Sequence, residues 1–397
     1  MKKPPLFFIY LTIFVNIIGF GMVFPLLPFY ARHFQASEFT VGLLAASFAI
    51  AQFILSPVWG RLSDRVGRKP IMAVALLGLS LSFLLFGLAN NLFWLFVGRI
   101  LQGVFSAASI SVAQAYVGDV TSKEERIKGM GNLGASLAAG FIFGLGLGGV
   151  LSTVSLSFPF FVAAVLAAAN FIFVMAFLPE SLSKKAEKLM IKEGLFNIKH
   201  MYQGLKGELG SFFILTFLWS FALTNNEVAM PLFAEERLAL SASTIGYFFS
   251  LMGLLSAFMQ SVLIYKITRF LGEHKTAVLG IAILAVGLFL IPFAKLPVFL
   301  LFFKLPVFLL FFMIVMAVGS SMTRPTLASL VSKETKEGQG TTMGIFASFE
   351  SLGRVFGPLL GGWLFSNFGF HSPFTVSAIL IFITLVFVVQ IRGFFKD

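Results

Sequence analysis

The sequence GIFASFESLGRVFGPLLGG, from Gly344 to Gly362, carries a glycine spacing that also occurs 213 residues earlier, in GNLGASLAAGFIFGLGLGG from Gly131 to Gly149. In each stretch three glycines recur at every fourth residue, so they share one face of a helix. Such a face lets a second helix backbone approach closely, as in small-residue interfaces between membrane helices. The repetition therefore predicts one matching packing face in each half of the chain. The predicted helix-packing positions are Gly131, Gly140, Gly144, Gly148, Gly149, Gly344, Gly353, Gly357, Pro358, Gly361 and Gly362.

The composition indicates a protein of the lipid bilayer. Of the 397 residues, 58% are hydrophobic and 12% are charged, whereas soluble domains carry about 25% charged residues. Twelve apolar runs are long enough to cross a bilayer as helices, which takes about 20 residues each. We therefore predict an all-α membrane protein with 12 transmembrane helices in two pseudo-symmetric six-helix bundles. The predicted spans are 6–29, 40–59, 71–90, 92–117, 130–153, 159–178, 211–234, 243–265, 276–294, 305–331, 341–365 and 372–391.

The basic residues alternate between the loops. Of 29 lysines and arginines, 22 lie on the side that holds both chain ends and the segment 179–210, and four lie on the opposite side. This bias predicts that both termini and that segment are cytoplasmic, and it explains the net charge of +12 without a nucleic-acid partner. The predicted domains are an N-terminal bundle (1–178), a cytoplasmic linker (179–210) and a C-terminal bundle (211–397). The linker is either an amphipathic helix on the membrane surface or a solvated connection.

The loop after the second span, GRLSDRVGRKP from Gly60 to Pro70, is dense in charge. Gly67 permits a tight turn, and Arg68 is expected to pair with Asp119 at the inner end of the fourth span. A contact that breaks when the cytoplasmic face opens would act as a two-state latch. The alternative is a purely topological anchor. The latch residues are Gly60, Asp64, Arg65, Gly67, Arg68 and Asp119; the equivalent loop of the second half has Arg269 in place of the aspartate, so no latch is expected there.

Two acidic residues fall inside predicted spans, Glu227 and Glu350. An ionised carboxylate without a partner is costly in the bilayer, so both are candidate proton carriers. For Glu350, a structural pair with Arg354 one helical turn later is an equally good interpretation, whereas for Glu227 a functional role is favoured. The chain has no cysteine, which excludes disulfides and thiolate metal sites, and it has no GxxxxGK[ST] nucleotide-binding loop.

Several motifs together resemble the major facilitator superfamily over the whole chain, and within it the drug:proton antiporter family. Besides the charged loop and the glycine pattern, the fourth span carries RILQGVFSAA from Arg99 and the first carries NIIGFGMVFPLLP from Asn16. The stretches NEVAMPLFAEE from Asn226 and SSMTRPTLASL from Ser320 are similar to quinolone and multidrug efflux pumps of Gram-positive type. Leu145 departs from the family, which usually has proline there.

The resemblance implies proton-coupled export of lipophilic drugs by alternating access. It implies a multi-pass protein of the bacterial inner (plasma) membrane, acting as a monomer among lipids on lipophilic small molecules and protons, with a proton gradient in place of a cofactor. The candidate proton-coupling residues are Glu227, Glu350 and Arg99; the candidate substrate-binding residues are Asn16, Gln102, Asn226 and Arg324. For Arg324, an anchor that extends toward the membrane surface is an alternative.

Two alternative functions remain open: export of an endogenous lipid-like molecule or metabolite, and a non-transporting membrane receptor. An enzyme is not expected, because two carboxylates on different spans are too few for a catalytic cluster. The nonapeptide KLPVFLLFF occurs twice in succession, at 295–303 and 304–312. Nine residues make 2.5 helical turns, so only one copy is expected to belong to the tenth span.

Overall fold

The structure is a computed structural model that describes residues 6–122, 125–182, 205, 209–295, 306–334 and 339–390. In the first half the helices are α1 (Phe7–Val23), α2 (Leu27–His33), α3 (Glu38–Val66), α4 (Arg68–Gly87), α5 (Leu92–Val120), α6 (Arg126–Leu151) and α7 (Phe158–Phe177). In the second half they are α8 (Gly210–Leu238), α9 (Ala242–Phe258), α10 (Ile264–Leu271), α11 (Glu273–Leu290), α12 (Pro306–Glu334), α13 (Gln339–Phe368) and α14 (Ser372–Gln390).

Within these described ranges the helices form twelve segments that match the twelve predicted spans. Helices α1 and α2 form the first segment and meet at a bend of 45°. Helices α9 and α10 form the eighth, joined by a π-helical turn at Met259–Leu263. Eight helices of the described chain are long and apolar enough to cross a membrane, or nine when the bent pair counts as one. Helices α8, α13 and α14 lie outside this set: α14 contributes a shorter apolar stretch, Ser372–Val386, and α8 and α13 carry polar residues described below.

The chain divides into two compact units. One comprises Met1–Ala36, Ser47–Phe196 and Ala242–Ser250. The core of this unit is a cluster of aliphatic and aromatic side chains from α1, α4 and α5, which includes Ile13, Met72 and Tyr116. The other unit comprises Ser37–Ala46, Asn197–Ser241 and Leu251–Asp397.

The glycine pattern makes the predicted close contacts within the first unit. A Cβ atom on Gly140 would lie 2.5 Å from the carbonyl oxygen of Phe14, and one on Gly148 would lie 2.7 Å from that of Met22. Gly144 between them faces the carbonyl oxygen of Ile18. Helix α6 therefore packs backbone to backbone on α1.

The second unit repeats the arrangement with α13 on α8. A Cβ atom on Gly353 would lie 2.6 Å from Ser220 Cβ, and one on Gly357 would lie 2.7 Å from the carbonyl oxygen of Phe221. Gly361 faces the side chain of Asn225. The predicted packing face is confirmed in both units.

The last glycine of each pattern contacts a different helix. Gly149 approaches Gly246 of α9, and Gly362 approaches Gly42 of α3, which also faces the carbonyl oxygen of Pro358. A Cβ atom on Gly149 would lie 3.4 Å from Gly246 Cα, and one on Gly362 would lie 3.1 Å from Gly42 Cα. These two glycines therefore also let helices pack closely.

The prediction is wrong for Gly131 and Gly344. A Cβ atom on either would meet no atom of the described chain within 4 Å. Each lies nine residues before the first glycine of its four-residue series, and nine residues rotate a helix by 2.5 turns. These two glycines therefore lie on the opposite face of their helices and take no part in the packing.

Two predictions fall largely outside the described residues. Of the linker 179–210, the structure describes 179–182, 205, 209 and 210. Of the tandem nonapeptides, the second copy is described from Pro306, where α12 begins, and the first copy is described only at Lys295, so the prediction of a single copy in the tenth span lies outside the described residues.

The packing face gives a matched pair of substitutions. Gly144→Ala would drive a methyl group into the Ile18 carbonyl, so we expect a loss of about 1–3 kcal/mol in the free energy of unfolding. Gly131→Ala adds the same methyl group in open space and should be neutral or stabilising by up to about 1 kcal/mol. Thermal unfolding of both variants in detergent checks this, and equal shifts for the two would contradict the assigned packing.

Candidate functional site

The charged loop between α3 and α4 holds an ion-pair network around Arg68. Gly67, at the turn, has φ 124°, a conformation that L side chains rarely adopt. The Arg68 guanidinium contacts Asp119 Oδ2 through Nε at 2.9 Å and Asp64 Oδ1 through Nη2 at 2.7 Å. It also donates to Ser63 Oγ at 2.5 Å. The predicted Arg68–Asp119 contact is confirmed, and with 6% of its side chain exposed Arg68 is buried between its partners.

Sequence analysis missed one member of this network, Glu180. Its carboxylate accepts the backbone N–H of Arg68 at 2.8 Å and of Lys69 at 3.1 Å, at the N-terminus of α4. The next residue, Ser181, donates to Asp119 Oδ2 at 3.0 Å. An anion at this end of a helix is favoured by the exposed N–H groups and the helix dipole. Glu180 and Ser181, at the start of the predicted linker, are therefore tied to the charged loop and α5.

One predicted member takes part through its backbone and another stays apart. The backbone oxygen of Gly60 accepts a hydrogen bond from Ser63 Oγ at 2.7 Å, although a Cβ atom on Gly60 would meet no described atom within 4 Å. Arg65 makes no ion pair with a residue of the described ranges. The signal that could have found Glu180 is its position: it is an acidic residue directly after a span that ends on the same side as the basic loop.

The equivalent loop of the second unit also carries an ion pair, contrary to expectation. Gly272 again has a positive φ, 80°. Glu273 follows it and contacts Lys333 Nζ at 2.8 Å, while Ser329 donates to the same carboxylate at 2.9 Å. Compared with Arg68 and Asp119, the charges of loop and helix are reversed. Arg269 thus reverses the charge at the aspartate position, but Glu273 still ties the loop to the helix.

In the first unit, α5 presents a stripe of polar residues that includes two predicted site residues. Arg99 donates to Gln102 Oε1 at 2.5 Å, and its guanidinium carbon lies 4.6 Å from the centre of the Phe48 ring. About two turns further along α5, Asn16 of α1 donates to Ser109 Oγ at 2.8 Å. Arg99, Gln102 and Asn16 are all buried. Buried polar groups of this kind in a membrane helix are candidates for a substrate or ion pathway.

In the second unit, α8 carries three consecutive polar residues, of which Glu227 is the most accessible. Asn225 is fully buried and donates to Pro373 O at 2.8 Å and to Ser377 Oγ at 2.5 Å, so it fastens α8 to α14. Asn226 is buried, and its Oδ1 accepts no hydrogen bond within the described chain. Glu227 is partly exposed, whereas the residues on both sides of it are buried.

The second predicted carboxylate, Glu350, is held by two arginines. Arg354 Nη2 lies 3.0 Å from Oε1, and Arg324 Nη2 lies 3.1 Å from Oε2. Each guanidinium thus pairs with one carboxylate oxygen, so the buried Glu350 has a charge partner on both sides. This geometry favours the structural interpretation of Glu350 over the proton-carrier interpretation. It also directs Arg324 toward Glu350 rather than along the helix toward the membrane surface.

In the described part of the chain, no group of three or more histidine and carboxylate side chains is arranged to hold a metal ion. The site residues described above carry amide, carboxylate and guanidinium groups, whose chemistry is charge, hydrogen bonding and protonation.

Comparison with known proteins identifies the family. The family model described as the Major Facilitator Superfamily matches residues 9–299 and 212–393. The chain belongs to this superfamily. It is 32% identical to Multidrug resistance protein 2 of Bacillus subtilis, over 97% of this chain and 94% of the relative. It is 31% identical to Tetracycline resistance protein, class E, of Escherichia coli, over 89% and 86% of the two chains.

A further relative and a solved structure support the same fold. Quinolone resistance protein NorA of Staphylococcus aureus is 27% identical over 91% of this chain and 89% of its own. Among solved structures, the nucleoside transporter NupG is similar over 100% of this chain and 100% of its own, with a TM-score of 0.78 at 14% identity. At that identity the similarity concerns the 12-helix fold of the superfamily alone.

The two loop ion pairs allow a comparison of a buried pair with an exposed one. In a double-mutant cycle of Arg68→Ala and Asp119→Ala, we expect a coupling energy of about 1–3 kcal/mol, because Arg68 is buried. The cycle of Lys333→Ala and Glu273→Ala should give about 0–1 kcal/mol, because the Lys333 side chain is 67% exposed. Reversible unfolding in mixed detergent measures both. A larger coupling for the exposed pair would refute the ranking.

Proposed function

We propose that this superfamily member exports lipophilic drugs across the bacterial plasma membrane in exchange for protons, by alternating access. Drug export is supported by relatives named as multidrug, tetracycline and quinolone resistance proteins, which match most of the chain at 27–32% identity. The names of these relatives do not say which energy source drives the transport. The repeated six-helix organisation of the chain is typical of transporters that work by alternating access.

The observation that carries proton coupling is Glu227. It is a carboxylate inside a membrane-spanning helix, 17 residues or about 26 Å from the start of α8 at Gly210. It is partly exposed in a run of buried residues, which is the exposure that a group exchanging protons with water requires. A group of this kind binds a proton when its surroundings are apolar and releases it when water or a cation approaches.

The roles of the other site residues follow from their contacts. Arg99, Gln102 and Asn16 provide hydrogen-bonding groups in the first unit, and Asn226 provides a buried acceptor beside Glu227. Arg99 is a buried cation whose charge would favour the deprotonated form of a carboxylate carrier. Glu350 is proposed as a partner for arginines rather than as a second carrier, because two guanidiniums hold it.

The remaining properties are proposed from the distribution of charge and from the family. Both termini are cytoplasmic, as the excess of lysine and arginine in alternate loops indicates. The protein acts as a monomer without a cofactor and catalyses no covalent chemistry, and the proton gradient drives the transport. The residues around Arg68, with Glu180, form the cytoplasmic latch that opens and closes during the cycle.

The test is export of ethidium, a lipophilic cation, from inverted membrane vesicles or proteoliposomes with an imposed proton gradient. The wild-type protein should move ethidium against its gradient. Glu227→Gln should abolish this uphill transport, because the amide cannot bind and release a proton, while exchange of ethidium between the two sides without a gradient should persist. Glu227→Asp keeps a titratable group and should retain part of the activity.

Glu236→Gln is the matched control, since Glu236 is an exposed carboxylate near the end of the same helix. It should transport as the wild type does. Uphill transport at the wild-type rate by Glu227→Gln would rule out this residue as the proton carrier. Failure of the wild type to move ethidium, with or without a gradient, would favour an endogenous substrate or a receptor over a drug exporter.

A further inference from the structure

The cluster around Glu350 carries more positive than negative charge. One carboxylate faces two guanidiniums, and both ion pairs are short, at 3.0 and 3.1 Å. The cluster therefore keeps a net charge of +1 in a part of the protein where charge is costly. One arginine would be enough to neutralise the charge of Glu350. If the cluster served only to pair Glu350, the second arginine would therefore have no role.

The two arginines are the exposed part of the cluster, and a ligand can bind only there. The Glu350 side chain is 8% exposed, whereas the side chains of Arg324 and Arg354 are 51% and 54% exposed. Arg324 uses Nε and Nη2 toward Glu350, and Arg354 uses Nη2. Within the described chain, Nη1 of both arginines and Nε of Arg354 donate no hydrogen bond. Several N–H donors on two fixed cations therefore remain available.

The cluster lies well inside the membrane-spanning helices. Arg324 is ten residues before Glu334, the last residue of α12, and Glu350 is eleven residues after Gln339, the first residue of α13. At 1.5 Å per residue, these positions are about 15 Å and 16 Å from the ends proposed to be cytoplasmic. Charged side chains at this depth face a water-filled space or the protein interior rather than lipid tails. The exposed N–H groups are thus accessible to a dissolved compound.

We propose that Arg324 and Arg354 form a binding site for the carboxylate of an exported compound. A guanidinium presents two parallel N–H groups to a carboxylate, which is the strongest geometry for this pairing. Glu350 is a positioning residue: it holds both guanidiniums in place before the ligand arrives, so little side-chain freedom is lost on binding. The substrate class is amphipathic compounds with a carboxylate, zwitterions included.

This inference rests on the proposed function, since it identifies a chemical group of the exported substrate. The arginine site is also connected to Glu227 through the packing of α8 on α13. Ser220 of α8 donates to the backbone oxygen of Glu350 at 2.7 Å, and Glu227 follows Ser220 by seven residues, or about 10 Å along the helix. A zwitterion of that length could place its amine near Glu227 and its carboxylate at the arginines. An anionic lipid headgroup offers the same chemistry, and the test separates the two sources.

The test compares ciprofloxacin, which has a carboxylate and an amine, with its methyl ester, which keeps the amine and loses the carboxylate. Dissociation constants are measured by drug fluorescence with the purified full-length protein in nanodiscs of phosphatidylcholine alone. Arg354→Gln should weaken binding of the acid by about tenfold to hundredfold and leave the ester unchanged, as expected for the loss of a charge-assisted hydrogen bond.

Further variants separate a binding role from a structural one. Arg354→Lys keeps the charge but not the paired N–H groups, so it should recover part of the acid binding. Glu350→Gln removes the anion that holds both guanidiniums in place, so it should weaken binding of the acid and leave the ester unchanged, whereas Glu350→Asp should recover part of the acid binding. The matched control is Arg269→Gln, because Arg269 is an exposed arginine of the same unit that forms no ion pair with a described residue. It should bind both compounds as the wild type does.

Three results would overturn the proposal. The first is equal weakening of acid and ester by Arg354→Gln, which would indicate a purely structural role. The second is no preference for the acid in the wild type. The third is binding of phosphatidylglycerol that Arg354→Gln abolishes while the acid still binds, which would assign the arginines to a lipid headgroup. Dissociation constants need no gradient, so each result is distinguishable from a failure of ethidium export, which would instead contradict the proposed function.

Discussion

The structure depends on one constraint: a polar group within the bilayer must find its partner inside the protein. For the backbone, this constraint makes every described span helical. Because lipid gives no hydrophobic force between helices, close contact must come from shape, and here glycine provides it. Gly144 lies against α1 and Gly357 against α8, each at the carbonyl oxygens of the facing helix. The two halves of the chain thus use the same solution at equivalent positions.

The same constraint explains how the charges are arranged. Arg68 is buried with two aspartates and a serine around it, and Glu350 is buried between two arginines. Such groups are stable while their partners stay in place, and they become costly when a conformational change separates them. Glu227 differs in its exposure, since it is partly exposed within a buried stretch. For this reason we propose Glu227, rather than Arg68 or Glu350, as the group that exchanges a proton.

Much of the fold could be predicted from the sequence, because a span is defined by about 20 consecutive residues in one chain. The errors lie at the ends: the second apolar run stops at residue 59, whereas α3 continues to Val66, since charged side chains can reach water from the last helical turns. Contacts between distant segments could not be predicted. The position of Glu180 after a span places it on the side of the basic loop, but it does not identify α4 as its partner, and Arg324 and Glu350 are 26 residues apart. Gly131 is a different kind of error, because helical geometry alone puts it on the opposite face.

The central claim is that Glu227 exchanges a proton as the substrate binds. The most direct measurement is proton release from the purified protein in a weakly buffered detergent solution when ethidium is added. The account predicts that the wild-type protein releases protons as it binds ethidium, and that Glu227→Gln binds ethidium without releasing any. Equal proton release from the wild type and from Glu227→Gln would contradict it, because the exchanging group would then lie elsewhere in the chain.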